Sequence, residues 1–250
     1  MRIDSDMNAV DGLPILYIRS LNMLVAADLH LGYEGIMSDN GVFLPKANLK
    51  SILGAIDKAI MATGAKTLLV DGDIKNEFSK VHIEEFNELY DFILHMKEKG
   101  VDLLLIKGNH DNFVERYKDA FKLKVYRQEH VIGKYAFFHG EEIPQDIKGT
   151  SVLIMGHEHP AIILYTGTGK AEKIKCFLYG RYKGKRLLVL PALSYYSGGT
   201  SINTTPSSEL LAPIFKNVDV DQMEAIAVGY GSTIAFGRIR ELRKAAREES

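Results

Sequence analysis

Residues 23–30 read Met23-Leu24-Val25-Ala26-Ala27-Asp28-Leu29-His30, and residues 67–73 read Thr67-Leu68-Leu69-Val70-Asp71-Gly72-Asp73. Each is a short apolar run that ends, on its carboxyl side, in side chains able to bind a metal. Three later runs do the same. Val101–Lys107 leads into Gly108-Asn109-His110-Asp111, the run 135–138 into His139-Gly140, and the run 151–155 into Gly156-His157-Glu158-His159. In open α/β sheets ligands bind just beyond the carboxyl ends of strands, so five strand ends of this kind can converge on one cleft.

Spacing and donor type support that convergence. Side chains at i and i+2 of an extended segment share a face, which pairs Asp28 with His30 and His157 with His159. Gly72, Gly108 and Gly156 stand before the ligands, where they permit sharp turns. The set mixes carboxylate, imidazole and amide without thiolate, which suits borderline divalent ions such as Mn, Fe or Zn. Any single Asp-x-His pair is weak, Asp71 reads as a turn cap, and a lone strand-end histidine such as His139 is more often structural. His82, His95 and His130 fit no cluster and read as structural too. The other five of the eight histidines all fall inside the clusters, which chance does not readily arrange.

Working outward, runs at 15–18 and 23–27 form a hairpin across Arg19-Ser20-Leu21-Asn22. A Gly- and Asp/Asn-rich loop covers 31–44, and Pro45 suits the first turn of a helix carrying Leu49, Ile52, Leu53, Ile56 and Ile60. A strand at 67–70 precedes a helix from about Lys80 to Lys99, with Phe86, Leu89, Tyr90, Ile93 and Met96 on one face and Gly100 as its stop. The strand at 101–106 completes a β-α-β-α-β series and predicts a parallel sheet with right-handed crossovers. Strands near 122–126, 129–133, 135–139, 151–155, 161–165, 172–180 and 186–190 predict a second sheet packed on the first. The tail, 238–250, reads as a surface helix. With no linker or repeat in view, residues 1–250 read as a single α/β domain of two sheets flanked by helices.

Composition narrows the class. The chain is 46% apolar and 25% charged with net charge −1, so no global positive field draws it to nucleic acid or to an anionic membrane. The one cysteine, Cys176, excludes an internal disulfide and reads as a packing thiol. No run of 18 apolar residues is present, and the first residues carry acids where a signal peptide needs an apolar run, so the expectation is a cytoplasmic protein without a membrane partner.

In order and spacing, Asp28-x-His30, Gly72-Asp73, Gly108-Asn109-His110-Asp111, His139 and Gly156-His157-x-His159 resemble the calcineurin-like metallophosphoesterase superfamily. The flanking text is similar to that of small archaeal and bacterial phosphoesterases related to the SbcD-type exonuclease, whose bacterial members are associated with a DNA ligase. The resemblance implies a four-layer α/β/β/α sandwich and two divalent ions, Mn first, with Fe, Zn or Ni as alternatives. It further implies that Asp28, His30 and His159 hold one ion, that Asn109, His139 and His157 hold the other, and that Asp73 bridges them. A hydroxide between the ions would attack in line, and His110, with Asp111 nearby, would protonate the leaving group. The family usually places Asp or His three residues after the bridging acid. Here that position is Asn76, whose amide oxygen can accept from an imidazole but adds no negative charge.

Substrate signals are thinner. Tyr33 and Glu34 follow the first motif closely, and Tyr33 is a candidate substrate contact. The segment 191–206, with Ser194, Tyr195, Tyr196, Gly198 and Gly199, reads equally as a lid or a surface connection. Lys173, Lys175, Arg181, Tyr182, Lys183, Lys185 and Arg186 form a basic hairpin that could track phosphates, although a solvated strand explains it as well. Gly167-Thr168-Gly169-Lys170 is most simply a turn. Three functions stay open: a phosphodiesterase acting on nucleotides or small diesters, a repair-linked nuclease acting on DNA, and a scaffold that has lost its chemistry. The intact ligand set and His110 disfavour the scaffold.

Overall fold

A computed structural model describes the chain apart from residues 78–81, 113, 116, 117, 119, 120, 166–169 and 250. Lys80, Gly167, Thr168 and Gly169 therefore lie outside the described residues.

The first sheet runs in the order β1 (Met7–Ala9), β2 (Leu16–Ile18), β3 (Met23–Ala26), β4 (Thr67–Asp71), β5 (Asp102–Ile106) and β6 (Lys124–Tyr126). From β3 to β6 its strands are parallel, while β1–β2 and β2–β3 are antiparallel. Helices α1 (Tyr33–Asp39), α2 (Asn48–Thr63) and α3 (Ile83–Glu98) belong to the connections between its parallel strands. The apolar positions of α2 and α3 repeat at helical spacing, so Ile52, Ile56, Leu89, Phe92 and Met96 share one core with Leu24, Leu68, Val70 and Leu105 of the sheet. Each fully buried side chain of this kind contributes about 1.5–3 kcal/mol.

The second sheet contains β7 (Glu129–Ile132), β8 (Tyr135–Phe138), β9 (Val152–Met155), β12 (Lys185–Val189), β11 (Ala171–Tyr182), β10 (Pro160–Tyr165) and β13 (Thr200–Ser201) in that order. Two further strands, β14 (Glu224–Gly229) and β15 (Ser232–Arg238), branch from β11. The run β8-β9-β12 is parallel. Its outer face is covered by 3-10 turns at Pro213–Asn217 and Val220–Gln222 and by α4 (Ile239–Glu249). Between the sheets, Leu16, Val25, Leu69 and Ile106 meet Phe137, Ile154, Phe177 and Leu188. The result is the four-layer α/β/β/α sandwich. No helix among the described residues is long and apolar enough to cross a membrane.

Several local expectations change. Lys124–Tyr126 joins the first sheet rather than the second, because it pairs with β5. The 31–44 stretch contains a short helix, α1, that the three glycines of the stretch concealed. Helix α2 starts at Asn48, three residues after Pro45. Tyr90 is about half exposed, at 46%, and Phe92 is fully buried in its place. Helix α4 does more than lie on the surface, since Ile239, Leu242 and Ala246 are buried. Strands β1, β14 and β15 were not legible, being short or lacking clear alternation.

Candidate metal centre

The parallel strands of both sheets point their carboxyl ends the same way, and a bridge joins them there. After β3, Ala27 pairs with Ala192 in the chain that leaves β12. The amides of Leu193 and Ser194 donate to the carbonyls of Ala27 and Asp28, at 2.9 and 3.0 Å. The Asp28 and His30 amides in turn donate to Gly72 and Asp73, at 3.1 and 3.0 Å. The motif segments are thus stitched into one floor.

On that floor all seven ligand candidates converge. Asp28, His30 and His159 form one group with ligand atoms mutually within 4.8 Å, and Asp73, His139 and His157 form another; a third, His30, Asp73 and His110, shares one residue with each. His159 Nε2 is 3.2 Å from Asp28 Oδ1, and His30 Nε2 is 3.3 Å from His159 Nε2. His139 Nε2 lies 3.2 Å from each of Asp73 Oδ2, Asn109 Oδ1 and His157 Nδ1. Asp28, Asp73 and His139 are buried.

The backbone makes this convergence by a different route from strand alternation. Asp28, His30, Asp73, His157 and His159 all have left-handed φ, between 47° and 67°. They are five of the nine non-glycine residues with positive φ among the described residues. That conformation costs an L residue of order 1–2 kcal/mol and persists where surrounding structure enforces it, typically at functional sites. The i and i+2 partners therefore meet because both sit in tight turns, not because they share a strand face. Of the three glycines, only Gly72 has positive φ, at 81°. Gly108 and Gly156 are needed for room: a Cβ on Gly108 would overlap the Asp73 carboxylate, and one on Gly156 would press on Ala27 and Asp28.

The far nitrogens of two rings are already engaged. His139 Nδ1 donates to the Asp71 carbonyl at 3.1 Å, and His159 Nδ1 meets Ser197 Oγ at 2.8 Å, which aims each Nε2 into the cleft as metal-ligating histidines require. Burial raises the Asp28 and Asp73 carboxyls, but His159 and His139 outweigh it and hold both below the usual carboxylate range. Conversely, burial lowers His139 and His159, and the same carboxylates push them above their ordinary value. Burial keeps His30 and His157 down at about 4, neutral and able to ligate. A cleft with two carboxylates, two imidazoles held neutral and an amide oxygen, lacking thiolate, fits divalent cations.

His110 stands at the edge. Its amide donates to Asp73 Oδ1 at 2.9 Å, and its Nδ1 donates to the backbone carbonyl of Asn76 at 2.6 Å, leaving Nε2 3.8 Å from Asp73 Oδ2. Asn76 thus meets the ring through its main chain, where the sequence pointed to its side-chain amide. Asp111 also departs from expectation. Its carboxylate is buried and takes the amides of Gly108 at 2.9 Å and Lys75 at 3.2 Å, so it shapes the Gly108–His110 turn instead of reaching the reacting atoms. Burial, with Asp73 adding to it, pushes Asp111 up to about 7. Tyr33 opens α1 and stacks on Tyr196.

Three supports carried no sequence signal. Buried Asn48 donates from Nδ2 to the carbonyls of Leu29 and His30 and accepts the Tyr195 amide at 2.8 Å. Lys75 and Glu85 form a buried ion pair at 3.1 Å, and Glu85 Oε2 receives the Asn76 and Glu77 amides. Ser197 lies in the stretch 191–206, so that stretch does wall the site. Among the described residues no hydrogen bond reaches the Asp71 carboxylate; Asp71 contributes its carbonyl to His139.

The basic hairpin does not serve the cleft. Its tip lies where Tyr182 pairs with Lys185, at the amino end of β12, and β12 is parallel to β9. The cleft is at the opposite ends. Arg186 pairs with Asp4, Lys185 donates to Thr150, and Tyr182 is buried. Only Lys173 and Lys175 approach the site loops, donating to Gly199 and to Ala192 and Ser194. Burial lowers Lys175 to about 8. The other histidines lie outside the cleft: His82 meets Asp39, His95 meets Asp57, and His130 stacks on Tyr126. Cys176 is buried, and burial pushes its thiol up, as an inert packing residue requires.

Residues 21–176 match the model of the calcineurin-like phosphoesterase family, and the chain belongs to that family. It is a metal-dependent phosphoesterase by class. Among solved structures, nuclease MPE of Pseudomonas putida has a TM-score of 0.63 at 18% identity, covering 92% of this chain and 100% of that one. Yfce, a phosphoesterase from E. coli, has a TM-score of 0.43 at 17% identity, covering 85% and 96% respectively. The first likeness shows the shared fold. No curated protein matches the sequence.

Proposed function

We propose that the chain is a two-metal phosphodiesterase in which Asp28, His30 and His159 hold one divalent ion, Asn109, His139 and His157 hold the other, and Asp73 serves both. The observation that carries this reading is the meeting of two nitrogen/oxygen clusters on either side of Asp73, with His110 beside them. When bound, such a pair of ions supplies Lewis acidity to the phosphoryl oxygens and a nucleophile at neutral pH. Mn is the first candidate, as the family resemblance implies; the donor set suits Mn, Fe or Zn alike.

The chain's own groups do the rest. His110 is oriented by the Asn76 carbonyl on Nδ1, so Nε2 can carry a proton to the departing oxygen, which favours esters with alkoxide leaving groups. Asp111 and the Lys75–Glu85 pair act through the backbone, fixing the turns that present His110 and Asn76. Since both sheets contribute ligands, the 250 residues work as one domain.

A nuclease reading, including an SbcD-like one, draws on the fold likeness to the P. putida nuclease. Binding that runs along several phosphates falls steeply as salt rises, and small-diester turnover does not. The test is a panel on protein loaded with Mn: bis-p-nitrophenyl phosphate, p-nitrophenyl phosphate, cyclic nucleotides, and single- and double-stranded DNA, with and without chelator. Diester turnover that chelator removes and Mn restores is the expected result, with two metal equivalents per chain. Less than one equivalent after loading, or turnover indifferent to chelator, overturns the proposal.

A further inference from the structure

Beside the His30 and His159 half of the cleft lies an aromatic cluster that the chemistry above leaves unused. The Tyr33 and Tyr196 rings stack with centroids 5.4 Å apart and an interplanar angle of 18°, and Tyr195 meets Tyr196 edge-on at 5.0 Å and 89°. The cluster is built from two segments, each tied to a ligand candidate. Tyr33 follows His30 by three residues. Tyr196 precedes Ser197, whose hydroxyl holds His159. The Tyr195 amide is fixed on Asn48 Oδ1, and the same Asn48 side chain holds the His30 carbonyl. The Tyr196 hydroxyl donates to the Pro45 carbonyl, which closes the cluster against the chain entering α2.

Burial normally explains clustered tyrosines, yet Tyr195 is 59% exposed. A large ring held by its own backbone and by a neighbouring ring, but open to solvent, has lost its freedom without gaining cover. Such a ring loses little further entropy when a flat partner stacks on it. Nucleobases are flat partners of that kind, and stacking on aromatic side chains tolerates any base.

We propose that Tyr195, backed by Tyr196 and Tyr33, is a stacking subsite for an unpaired nucleobase next to the scissile phosphate, so that the substrate is a nucleotide diester. The inference rests on the phosphodiesterase reading and deepens it. It takes over the role that the basic hairpin does not fill: contact with nucleic acid is made through bases at the cleft, not through phosphates along β11 and β12. Two sources share this chemistry, a small dinucleotide and an unpaired stretch of a longer strand. In a duplex the bases are already stacked and paired, so the subsite excludes it.

Two measurements test it. In the first, labelled thymidine dinucleotide, an eight-nucleotide thymidine strand and a blunt duplex are titrated into the full chain in chelator, where anisotropy reads binding without turnover. Tyr195→Ala and Tyr195→Leu are expected to weaken binding of the unpaired probes by about five- to a hundred-fold, with Tyr195→Phe keeping it. Binding of only the longer strand assigns the subsite to a polymer, and equal binding of both assigns it to a single nucleotide step. In the second, Mn-loaded protein is given thymidine 5′-p-nitrophenyl phosphate and methyl p-nitrophenyl phosphate. The ratio of their kcat/KM values is expected to fall by a similar factor in both Tyr195 variants and to be retained in Tyr195→Phe. Unpaired probes that do not bind, variants that bind them within twofold of the parent, or a duplex that binds as well as a single strand overturns the subsite. If nucleotide binding depends on Tyr195 but no ester is turned over with Mn, the catalytic reading fails and the subsite stands. A melting temperature for each variant separates these outcomes from a folding defect.

Discussion

At the carboxyl ends of β4 and β9, Asp73 and His157 stand in left-handed backbone, and the carboxylates and imidazoles around them face one another. At the other end of the same sandwich, beside the amino end of β8, Asp6 takes hydrogen bonds at 2.6 Å from both the Ser20 and Tyr135 hydroxyls and one at 2.9 Å from the Ser20 amide, with Lys134 at 3.4 Å. Arg186 pairs with Asp4 nearby. The two ends use similar residue types for opposite purposes. At the far end each charge is answered by a group of the chain itself, which favours the fold. At the cleft Asp28 and Asp73 are likewise offset by His159 and His139, but the backbone that presents them is strained, and that strain works against the fold. The contrast separates residues whose replacement should abolish function from those whose replacement should loosen the protein.

The largest effect is expected at the centre. Asp73→Asn removes the carboxylate shared by both clusters, and turnover is expected to fall by well over about a hundred-fold, since changes even one shell further out reach that size. Metal content after loading should drop below two per chain, and near-normal turnover at full metal content would sink the shared-ligand assignment. His110→Ala should retain metal but lose about 10²–10⁴-fold on alkyl diesters, and less on p-nitrophenyl esters, whose leaving group needs little protonation. Equal losses on both ester types would remove its role as an acid.

Between the two ends in character lies the buried Lys75–Glu85 pair, placed at the cleft but built like the far end. Glu85→Ala strands a buried cation and frees the Asn76 and Glu77 amides, so a loss of about 3–5 kcal/mol is expected in urea unfolding. A loss below about 1 kcal/mol would mean that the pair does not support the turn. The smallest effect concerns pH. Burial raises the Asp6 carboxyl, but the Ser20, Tyr135 and Lys134 partners outweigh it and hold it well below the ordinary range. A folded-state pKa below the unfolded one means this support is fully present above about pH 4 and is lost as acid protonates the folded carboxylate. Asp6→Asn should therefore cost about 1 kcal/mol near neutrality and flatten that part of the acid-unfolding curve. A variant with the parent's pH dependence would refute it.

Legibility in the sequence followed the same division. The candidate ligand residues could be read because their types are rare, they recur at strand ends, and their order matches a family pattern. Asn48, Glu85 and Ser197 could not, because an Asn at a helix start, a Glu on a helix or a Ser in a loop has an ordinary explanation everywhere else. Asp111 and Asn76 were assigned to the right neighbourhood, but sequence does not say whether a residue works through its side chain or its carbonyl. The hairpin of Lys183, Lys185 and Arg186 was a local pattern whose distance from the cleft depended on the direction of β12.

By itself the sequence determined the class of chemistry and most of the strands and helices, and it singled out the candidate donors, since these depend on residue type and on spacing within ten or so positions. The tertiary structure decided which faces are occupied: that Lys124–Tyr126 belongs to the first sheet, that left-handed turns bring the ligands together, and that Tyr33 meets Tyr196. Those outcomes turn on contacts that lie outside any local window, from the 20 positions between Leu104 and Lys124 to the 163 between Tyr33 and Tyr196. Their energies come from the pairing and packing of whole sheets, which no local window of sequence contains.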